Sequence, residues 1–246
     1  LDLATLTRHT AGDIHPPMYY YLLHFWMKVA GQSEFAVRFF SVFFGVLLVA
    51  MVYRFALRLL SDIPEAIPEK DHRSKAAART GLSDGDRARG DHGHAIACLA
   101  AGLVTTSPFH LWYSQETRMY TLTAFLGLAA TWFLLELADL LPQAPAAKER
   151  RHGDAGGALA GKWHAWALYV ALAGISLYIL YYAAFLLVFL NLYVLVMILV
   201  RLHLRQLGRQ NRSVLLLWLS AQVAVLVLYL PWLPTAIRQD ISPAVP

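Results

Sequence analysis

The sequence predicts an all-α, polytopic transmembrane helical bundle, and its composition is the first reason. Of the 246 residues, 58% are hydrophobic and 15% are charged, against the ~25% charged residues usual in soluble domains. The mean hydropathy is +0.47. The apolar residues lie in long runs, without the strict alternation expected of barrel strands. Cys98 is the single cysteine, which excludes a disulfide-stapled scaffold, and the long apolar runs exclude a disordered or collagen-like chain.

Six apolar segments are long enough, or nearly so, to cross the ~30 Å hydrocarbon layer as helices. They cover residues 35–59, 95–109, 119–141, 163–180, 182–200 and 213–232. The second is short unless it continues towards Tyr113. The fourth and fifth form one apolar stretch, which we divide at Tyr181 and Tyr182. The bundle is therefore expected to have about six spans.

The positive charges give the expected orientation of these spans. Of the 21 Lys and Arg residues, 16 fall within the segments 54–93, 148–162 and 201–212. The other five are predicted to lie on the opposite side of the membrane: Arg8, Lys28, Arg38, Arg118 and Arg238. The positive-inside rule makes the first set cytoplasmic and the second extracytoplasmic, in an inner or plasma membrane that the chain crosses several times. The net charge of +5 then needs no nucleic acid to explain it.

The topology divides the chain into three regions. Residues 1–34 form an extracytoplasmic segment with an interfacial helix, because the stretch after two prolines is short and rich in aromatic residues. A crossing helix is the alternative, but it would invert every later loop. Residues 35–232 form the transmembrane core, with a flexible cytoplasmic insertion at 61–93. Residues 233–246 are expected to begin an extracytoplasmic C-terminal region. The chain starts with Leu1, and we expect it to be incomplete at both ends.

Polar chemistry is concentrated in two segments that this topology brings to the outer face. One reads DIHPPMYYY from Asp13, and the other reads SPFHLWYSQETRMY from Ser107. Arg118 can bind a phosphate through two hydrogen bonds. Glu116 can order the Arg118 side chain or bind a sugar hydroxyl. The alternative is a loop ion pair within an aromatic belt. The central parts of the spans lack charged residues, which weakens a transporter function.

Together these segments resemble a known family. The stretches DIHPPMYYYLLHFW, GQSEFAVRFFSVFFGVLL and SPFHLWYSQETRMYTLTAFLGLAATWFL are similar to bacterial membrane glycosyltransferases of the protein-O-mannosyltransferase-like family, glycosyltransferase family 39, with the GT-C fold. The resemblance runs from Asp13 to about Leu135, and LYILYYAAFLLVFLNL and YLPWLP agree more loosely. It implies transfer of a sugar from a polyprenyl-phosphate donor to a cell-envelope acceptor, which is a lipid, a glycan or a protein, at the extracytoplasmic face.

The resemblance also implies a donor site. His15 and Arg118 would face the carrier phosphate, and Tyr113, Glu116 and Asp13 would shape the pocket around the donor. It implies no certain cofactor and leaves a divalent metal open. We assign no metal ligands, because the DHGH run at residues 91–94 is typical of a solvated segment.

Other residues near the expected outer face carry weaker predictions. Arg38 is expected to cap packing at the end of the first span or to pair with Glu34. Tyr181 and Tyr182 occupy an outer turn where the family often has polar or aromatic pocket residues.

The resemblance is incomplete in one respect, because the family places an acidic pair some tens of residues before the HPP segment. Asp2 lies in LDLATL, which does not match that motif, so the catalytic base stays unassigned. The isolated fragment is therefore expected to be inactive. Two alternatives remain open, a transporter or flippase for lipid-linked precursors and an inactive membrane scaffold.

Overall fold

The protein is described by a computed structural model that covers residues 2–12, 15–61, 84–138, 163–203 and 209–241. Within these residues every regular element is a helix, so the predicted all-α membrane bundle is confirmed. The helices are, in chain order, α1 (Leu3–Ala11), α2 (Met18–Ala30), α3 (Glu34–Ser61), α4 (Asp84–Thr106), α5 (Pro108–Gln115), α6 (Tyr120–Ala138), α7 (Trp163–Ile179), α8 (Ala183–His203), α9 (Arg209–Tyr229) and α10 (Leu233–Ile241).

Five of the six predicted spans correspond to single helices and the second corresponds to a bent pair, but the helices differ in their ability to cross a bilayer. Among the described residues, three are long and apolar enough: Glu34–Ser61, Tyr120–Leu137 and Ala183–Val200. The bent pair α4 and α5 adds a fourth if it counts as one span, and α7 and the end of α9 are shorter apolar helices. Length and composition thus support three to four of the six predicted crossings.

The second predicted span is broken at Ser107. The helices on either side of this residue, α4 and α5, meet at an angle of 57°. Ser107 has an extended backbone (φ −63°, ψ 123°), which is the conformation that a following proline favours. Its hydroxyl accepts the backbone N–H of His110 at 3.5 Å, and Pro108 occupies the first turn of the new helix. Local chemistry therefore stops one helix and starts the next.

The predicted insertion at 61–93 is helical in its last part, because α4 begins at Asp84 rather than near Ala95. Residues 62–83 lie outside the described part of the chain. The Tyr53 hydroxyl lies 2.7 Å from His94 Nδ1, so the early part of α4 is tied to α3. A helix extends readily from a packed apolar segment, and this explains a start that composition alone did not indicate.

The division of the long apolar stretch at Tyr181 and Tyr182 is confirmed. Helix α7 ends at Ile179 and α8 begins at Ala183. The turn is closed by the Ala183 N–H on the Leu180 carbonyl at 3.0 Å. The Trp232 indole donates to the Tyr181 hydroxyl at 3.0 Å, so the start of α10 packs on the same turn.

Helix α2 has 13 residues, which gives it a length of about 20 Å, too short to cross the hydrocarbon layer alone. It ends at Gly31, whose φ of 88° favours glycine because side chains with a Cβ rarely adopt it. The Trp26 indole then donates to the Ala36 carbonyl at 2.7 Å and fastens α2 to α3.

Two apolar clusters hold the bundle together. The larger one joins α6, α7, α8 and α9, and its centre includes Ala130, Tyr169, Leu190 and Ala221. The smaller one joins α2 to the first turns of α3 and α6 and to the end of α7, and its buried members are Tyr19, Phe40, Met119, Leu122, Leu126 and Ile179. The start of α3, the start of α6 and the end of α7 therefore meet at one end of the bundle, which we call the Arg118 end.

A polar network crosses the larger cluster. Asn191 on α8 accepts the Trp218 indole N–H at 3.0 Å and donates to the Tyr169 hydroxyl at 3.4 Å. Tyr169 on α7 in turn donates to Gln222 on α9 at 3.2 Å. Few polar groups lie inside the predicted spans, and these ones bond to one another across three helices. They serve packing, since buried polar groups need partners in an apolar medium.

Candidate functional site

The loop between α5 and α6 forms the candidate site at the Arg118 end. Helix α5 ends at Gln115, and Glu116 follows in an extended conformation (φ −86°, ψ 144°). The backbone N–H of Arg118 donates to the Glu116 carbonyl at 2.9 Å, which makes a tight three-residue turn. The turn brings the side chains of Glu116 and Arg118 to neighbouring positions.

Glu116 contacts two side chains at once. Its Oε1 accepts the indole N–H of Trp112 at 2.8 Å. Its Oε2 lies 3.7 Å from Nε of Arg118. The pair uses Nε of the guanidinium, and the Arg118 side chain is 56% exposed, so its terminal nitrogens can approach a ligand. The loop ion pair is therefore present, and it leaves the terminal nitrogens of the Arg118 guanidinium accessible.

Buried hydroxyls connect this loop to α3. Ser41 donates to the Arg118 carbonyl at 3.3 Å, and Thr121 donates to the Ser41 carbonyl at 3.1 Å. Tyr19 lies nearby, in the smaller of the two apolar clusters, and is 2% exposed. Burial raises the pKa of the Tyr19 phenol to about 12, and the neighbouring Ser41 hydroxyl offsets this only in part. The phenol is therefore neutral at physiological pH.

A polar cavity of about 400 Å³ opens beside the loop. Its wall consists of Arg38, Trp112, Gln115, Glu116, Thr117 and Arg118. Two guanidiniums and one carboxylate thus line the same space. The carboxylate is held by Arg118 and Trp112, so the cavity suits an anionic group that has oxygen acceptors.

A second, apolar groove of about 520 Å³ lies between α3, α4, α5 and α6. Its wall consists of Leu48, Leu103, Val104, Ser107, Phe109, His110, Tyr113, Tyr120, Thr121 and Ala124. Helix α5 contributes to both spaces, with Trp112 in the polar cavity and Tyr113 in the groove. The rings of Tyr113 and Tyr120 lie 4.5 Å apart between their centroids on the groove wall.

The structure brings together some of the predicted donor-site residues and separates others. Glu116 and Arg118 line the polar cavity, whereas Tyr113 lines the apolar groove. His15 is half-buried and lines neither space. Asp13 lies outside the described residues. The predicted roles of these residues at a donor stay predictions.

Two residues of the polar cavity were not assigned to the donor by the sequence. Arg38 pairs with Glu34 at 2.6 Å, which is one of its two expected roles, yet it also lines the cavity. Trp112 was given no role at the donor, and its indole N–H donates to Glu116. The spacing of four residues between Trp112 and Glu116 was a usable signal, because such residues lie on the same helix face.

Other residues that the sequence singled out have structural contacts elsewhere. Asp2 accepts the Thr5 backbone N–H at 3.2 Å and caps α1, which lowers the pKa of its carboxyl. Tyr182 is exposed and stacks on Phe185. Cys98 is a free, exposed cysteine. In the part of the chain that the structure describes, no group of three His, Cys, Asp or Glu residues is placed to hold a metal ion.

Comparison with known proteins finds one family. The sequence model of dolichyl-phosphate-mannose-protein mannosyltransferase matches residues 14–66, a segment that includes α2 and α3. No curated protein matches the chain, and no solved structure matches it. The predicted family resemblance is confirmed over that segment, and the family implies glycosyl transfer as the general activity. The chain is therefore similar to the dolichyl-phosphate-mannose-protein mannosyltransferase family over residues 14–66.

Proposed function

We propose that this chain is the donor-binding part of an integral-membrane glycosyltransferase that takes its sugar from a polyprenyl-phosphate carrier. The observation that supports this most directly is the pair of arginines, Arg38 and Arg118, in one cavity beside an apolar groove. A polyprenyl phosphate has an anionic head and a long apolar chain. The two neighbouring spaces match these two parts in chemistry.

In this proposal the guanidinium of Arg118 binds the carrier phosphate through its terminal nitrogens. Such a contact stabilises the negative charge that develops on the phosphate when the bond to the sugar breaks. Arg38 supplies a second positive charge, and the carboxylate of Glu116 orients Arg118. We assign no general base among the described residues, because both oxygens of Glu116 already face Trp112 and Arg118.

The apolar groove receives the first part of the polyprenyl chain. Its wall is mostly aliphatic and aromatic, and Tyr113 and Tyr120 lie on it. Burying an apolar chain is favourable, at about 25 cal/mol per Å² removed from water. The donor therefore enters from the membrane, with its phosphate at the level of the loop.

The transfer takes place at the extracytoplasmic face, where a cell-envelope lipid, glycan or protein accepts the sugar. Support for this orientation comes from the distribution of Lys and Arg, since 16 of the 21 fall on the side that lacks Arg38 and Arg118. The polar cavity then opens away from the cytoplasm.

The proposal is tested by transfer of label in membranes that contain the full-length protein. Labelled sugar is supplied on a polyprenyl phosphate, together with an extract of cell-envelope acceptors. Arg118→Ala is expected to lower transfer about tenfold to a hundredfold, as for the loss of a charge-assisted hydrogen bond of about 1.5–3 kcal/mol. Arg118→Lys retains the charge and should lose less.

Arg238→Ala is the matched control, because Arg238 is an exposed arginine on α10 that does not line either space. Transfer that is absent in the parent protein, or is equal in the Arg118→Ala and Arg238→Ala variants, would contradict the proposal. Movement of the donor across the bilayer without transfer of sugar would favour the flippase alternative.

A further inference from the structure

The loop that carries Arg118 is held by hydroxyl groups from two different helices. Ser41 on α3 is 1% exposed, and its hydroxyl donates to the Arg118 carbonyl at 3.3 Å. Thr121 on α6 is 3% exposed, and its hydroxyl donates to the Ser41 carbonyl at 3.1 Å. The two bonds therefore link α3 to the segment 118–121 in both directions.

The surroundings of these hydroxyls are apolar. Tyr19, Phe40 and Met119 are buried in the same cluster. A hydroxyl group in such a place costs free energy unless it is bonded, and an apolar side chain would fill the space without that cost. Bonds of this kind select one arrangement of the segments they join.

Other hydroxyls inside the bundle provide a comparison. The buried Ser176 donates to the Leu172 carbonyl, one turn earlier in its own helix, at 2.7 Å. Thr131 donates in the same way to the Gly127 carbonyl at 2.8 Å. These bonds lie within single helices, whereas those of Ser41 and Thr121 cross between segments. Helix packing alone does not require the crossing bonds.

The backbone of Arg118 is bonded on both sides. Its N–H donates to the Glu116 carbonyl at 2.9 Å, and its carbonyl accepts the Ser41 hydroxyl. Fixing both peptide planes fixes the direction of the Cα–Cβ bond between them. The guanidinium then needs to lose only side-chain freedom when it binds an anion, because the backbone is already ordered.

We propose that Ser41 and Thr121 are positioning residues that hold the Arg118 backbone, so that the guanidinium stays in the wall of the polar cavity. The identity of the anion as a carrier phosphate rests on the proposed function. The effect on the loop does not depend on that identity, and the two are measured separately.

The first readout is how well the loop is ordered. It is measured as the distribution of distances between two spin labels in a Cys98→Ser background. One label replaces Thr117 in the loop. The other replaces Arg54 on α3, an exposed position that lies about 20 Å along the helix from Ser41. Ser41→Ala and Thr121→Val are expected to broaden the distance distribution. Thr121→Ser keeps the hydroxyl and should restore the parent width, and Ser176→Ala should leave that width unchanged.

The second readout is the dissociation constant for undecaprenyl phosphate in detergent. Ser41→Ala and Thr121→Val are expected to raise it about threefold to tenfold, the range for one lost hydrogen bond. The control variants Thr121→Ser and Ser176→Ala should bind like the parent protein. This difference separates the loss of a hydroxyl from general damage to packing.

Three results would overturn the inference. They are a parent-like distance distribution in both hydroxyl-free variants, an equal broadening in Thr121→Ser and Thr121→Val, and unchanged affinity in variants whose loop has broadened. A different result is also informative: the distance distribution broadens in Ser41→Ala and Thr121→Val, but the parent protein does not bind undecaprenyl phosphate. This would support the role of Ser41 and Thr121 in the loop. That result would reject the proposed donor.

Discussion

Trp112 shows how one side chain can act on the site through another. Its indole N–H donates to Oε1 of Glu116 at 2.8 Å, and Oε2 of the same carboxylate faces Arg118. The indole therefore limits where the carboxylate can turn, and the carboxylate limits where the guanidinium can turn. Nothing in the sequence placed Trp112 or Arg38 at the donor, because each could be explained without it. Their place in one cavity became evident only when α3 and α5 were seen together.

Trp112→Phe is expected to weaken binding of undecaprenyl phosphate about threefold to tenfold, as for the loss of one hydrogen bond of roughly 0.5–1.5 kcal/mol. A smaller aromatic ring remains, and the side chain of Trp112 is exposed, so buried packing changes little. Trp166→Phe is the matched control, because that indole donates to the Ser220 hydroxyl at 3.1 Å, away from both cavities. Equal affinities in the two variants would show that Trp112 does not order the loop.

Tyr19 gives a prediction for the alkaline range, because its folded pKa of about 12 lies above the ordinary value of 10.0. Between these values the unfolded chain releases the phenolic proton and the folded chain keeps it. The free energy of unfolding should therefore fall as pH rises above 10, by up to about 1.4 kcal/mol per pH unit from this group. Tyr19→Phe should lose this part of the slope in denaturant titrations, whereas Tyr21→Phe should keep it.

At the scale of elements, the close approach of α3 and α5 positions both cavities. A Cβ added at Gly45 would lie 3.1 Å from Cβ of Ser114 and 3.5 Å from Cε1 of His110. Glycine at this position lets α5 rest directly on α3. A larger residue must push the short helix outwards, and α5 lines both the polar cavity and the groove.

Gly45→Val is expected to destabilise the protein by about 1–3 kcal/mol, the usual range for overpacking. Thermal unfolding in detergent measures the change. Gly102→Val on α4 is the control, since a Cβ added there meets nothing within 4 Å. A Gly45→Val variant as stable as Gly102→Val would mean that α5 moves without cost.

Helix positions could be predicted from the sequence to a large extent, and their interruptions to a lesser extent. Apolar runs indicated the six main helices, because each run must bury or shield its backbone. The division at Tyr181 and Tyr182 followed from the same reading. The early start of α4 at Asp84 did not, because residues 84–94 are mostly polar or glycine and give no apolar signal.

The candidate site divides in the same way. Glu116 and Arg118 were predicted together, because they are neighbours in sequence and a short turn brings such residues together. Arg38 was predicted only to cap packing or to pair with Glu34, because its distance along the chain from Arg118 hides their common cavity. The family match covers residues 14–66, so it supports the segment that contains Arg38 and does not reach Arg118.

At the scale of the whole molecule, sidedness is tested by labelling single cysteines in a Cys98→Ser background. A cysteine at Thr117, in the wall of the polar cavity, should react with an impermeant reagent from outside the cell. A cysteine at the exposed Asp91 should react only after the membrane is opened. The reverse pattern would place the cavity on the cytoplasmic side and contradict the proposed face of transfer.

The network around Asn191 has a consequence for how the molecule assembles. Membrane helices insert first and associate afterwards, and interhelical hydrogen bonds help to choose their partners. Because Asn191, Tyr169 and Trp218 lie on three helices, their bonds specify the rotation of α7, α8 and α9 about their axes. Asn191→Leu should still insert, but its helices should associate less uniquely. We expect a loss of about 0.6–1.7 kcal/mol in the stability of the bundle, measured as faster proteolysis in detergent than for Ser176→Ala, whose hydroxyl bonds within its own helix.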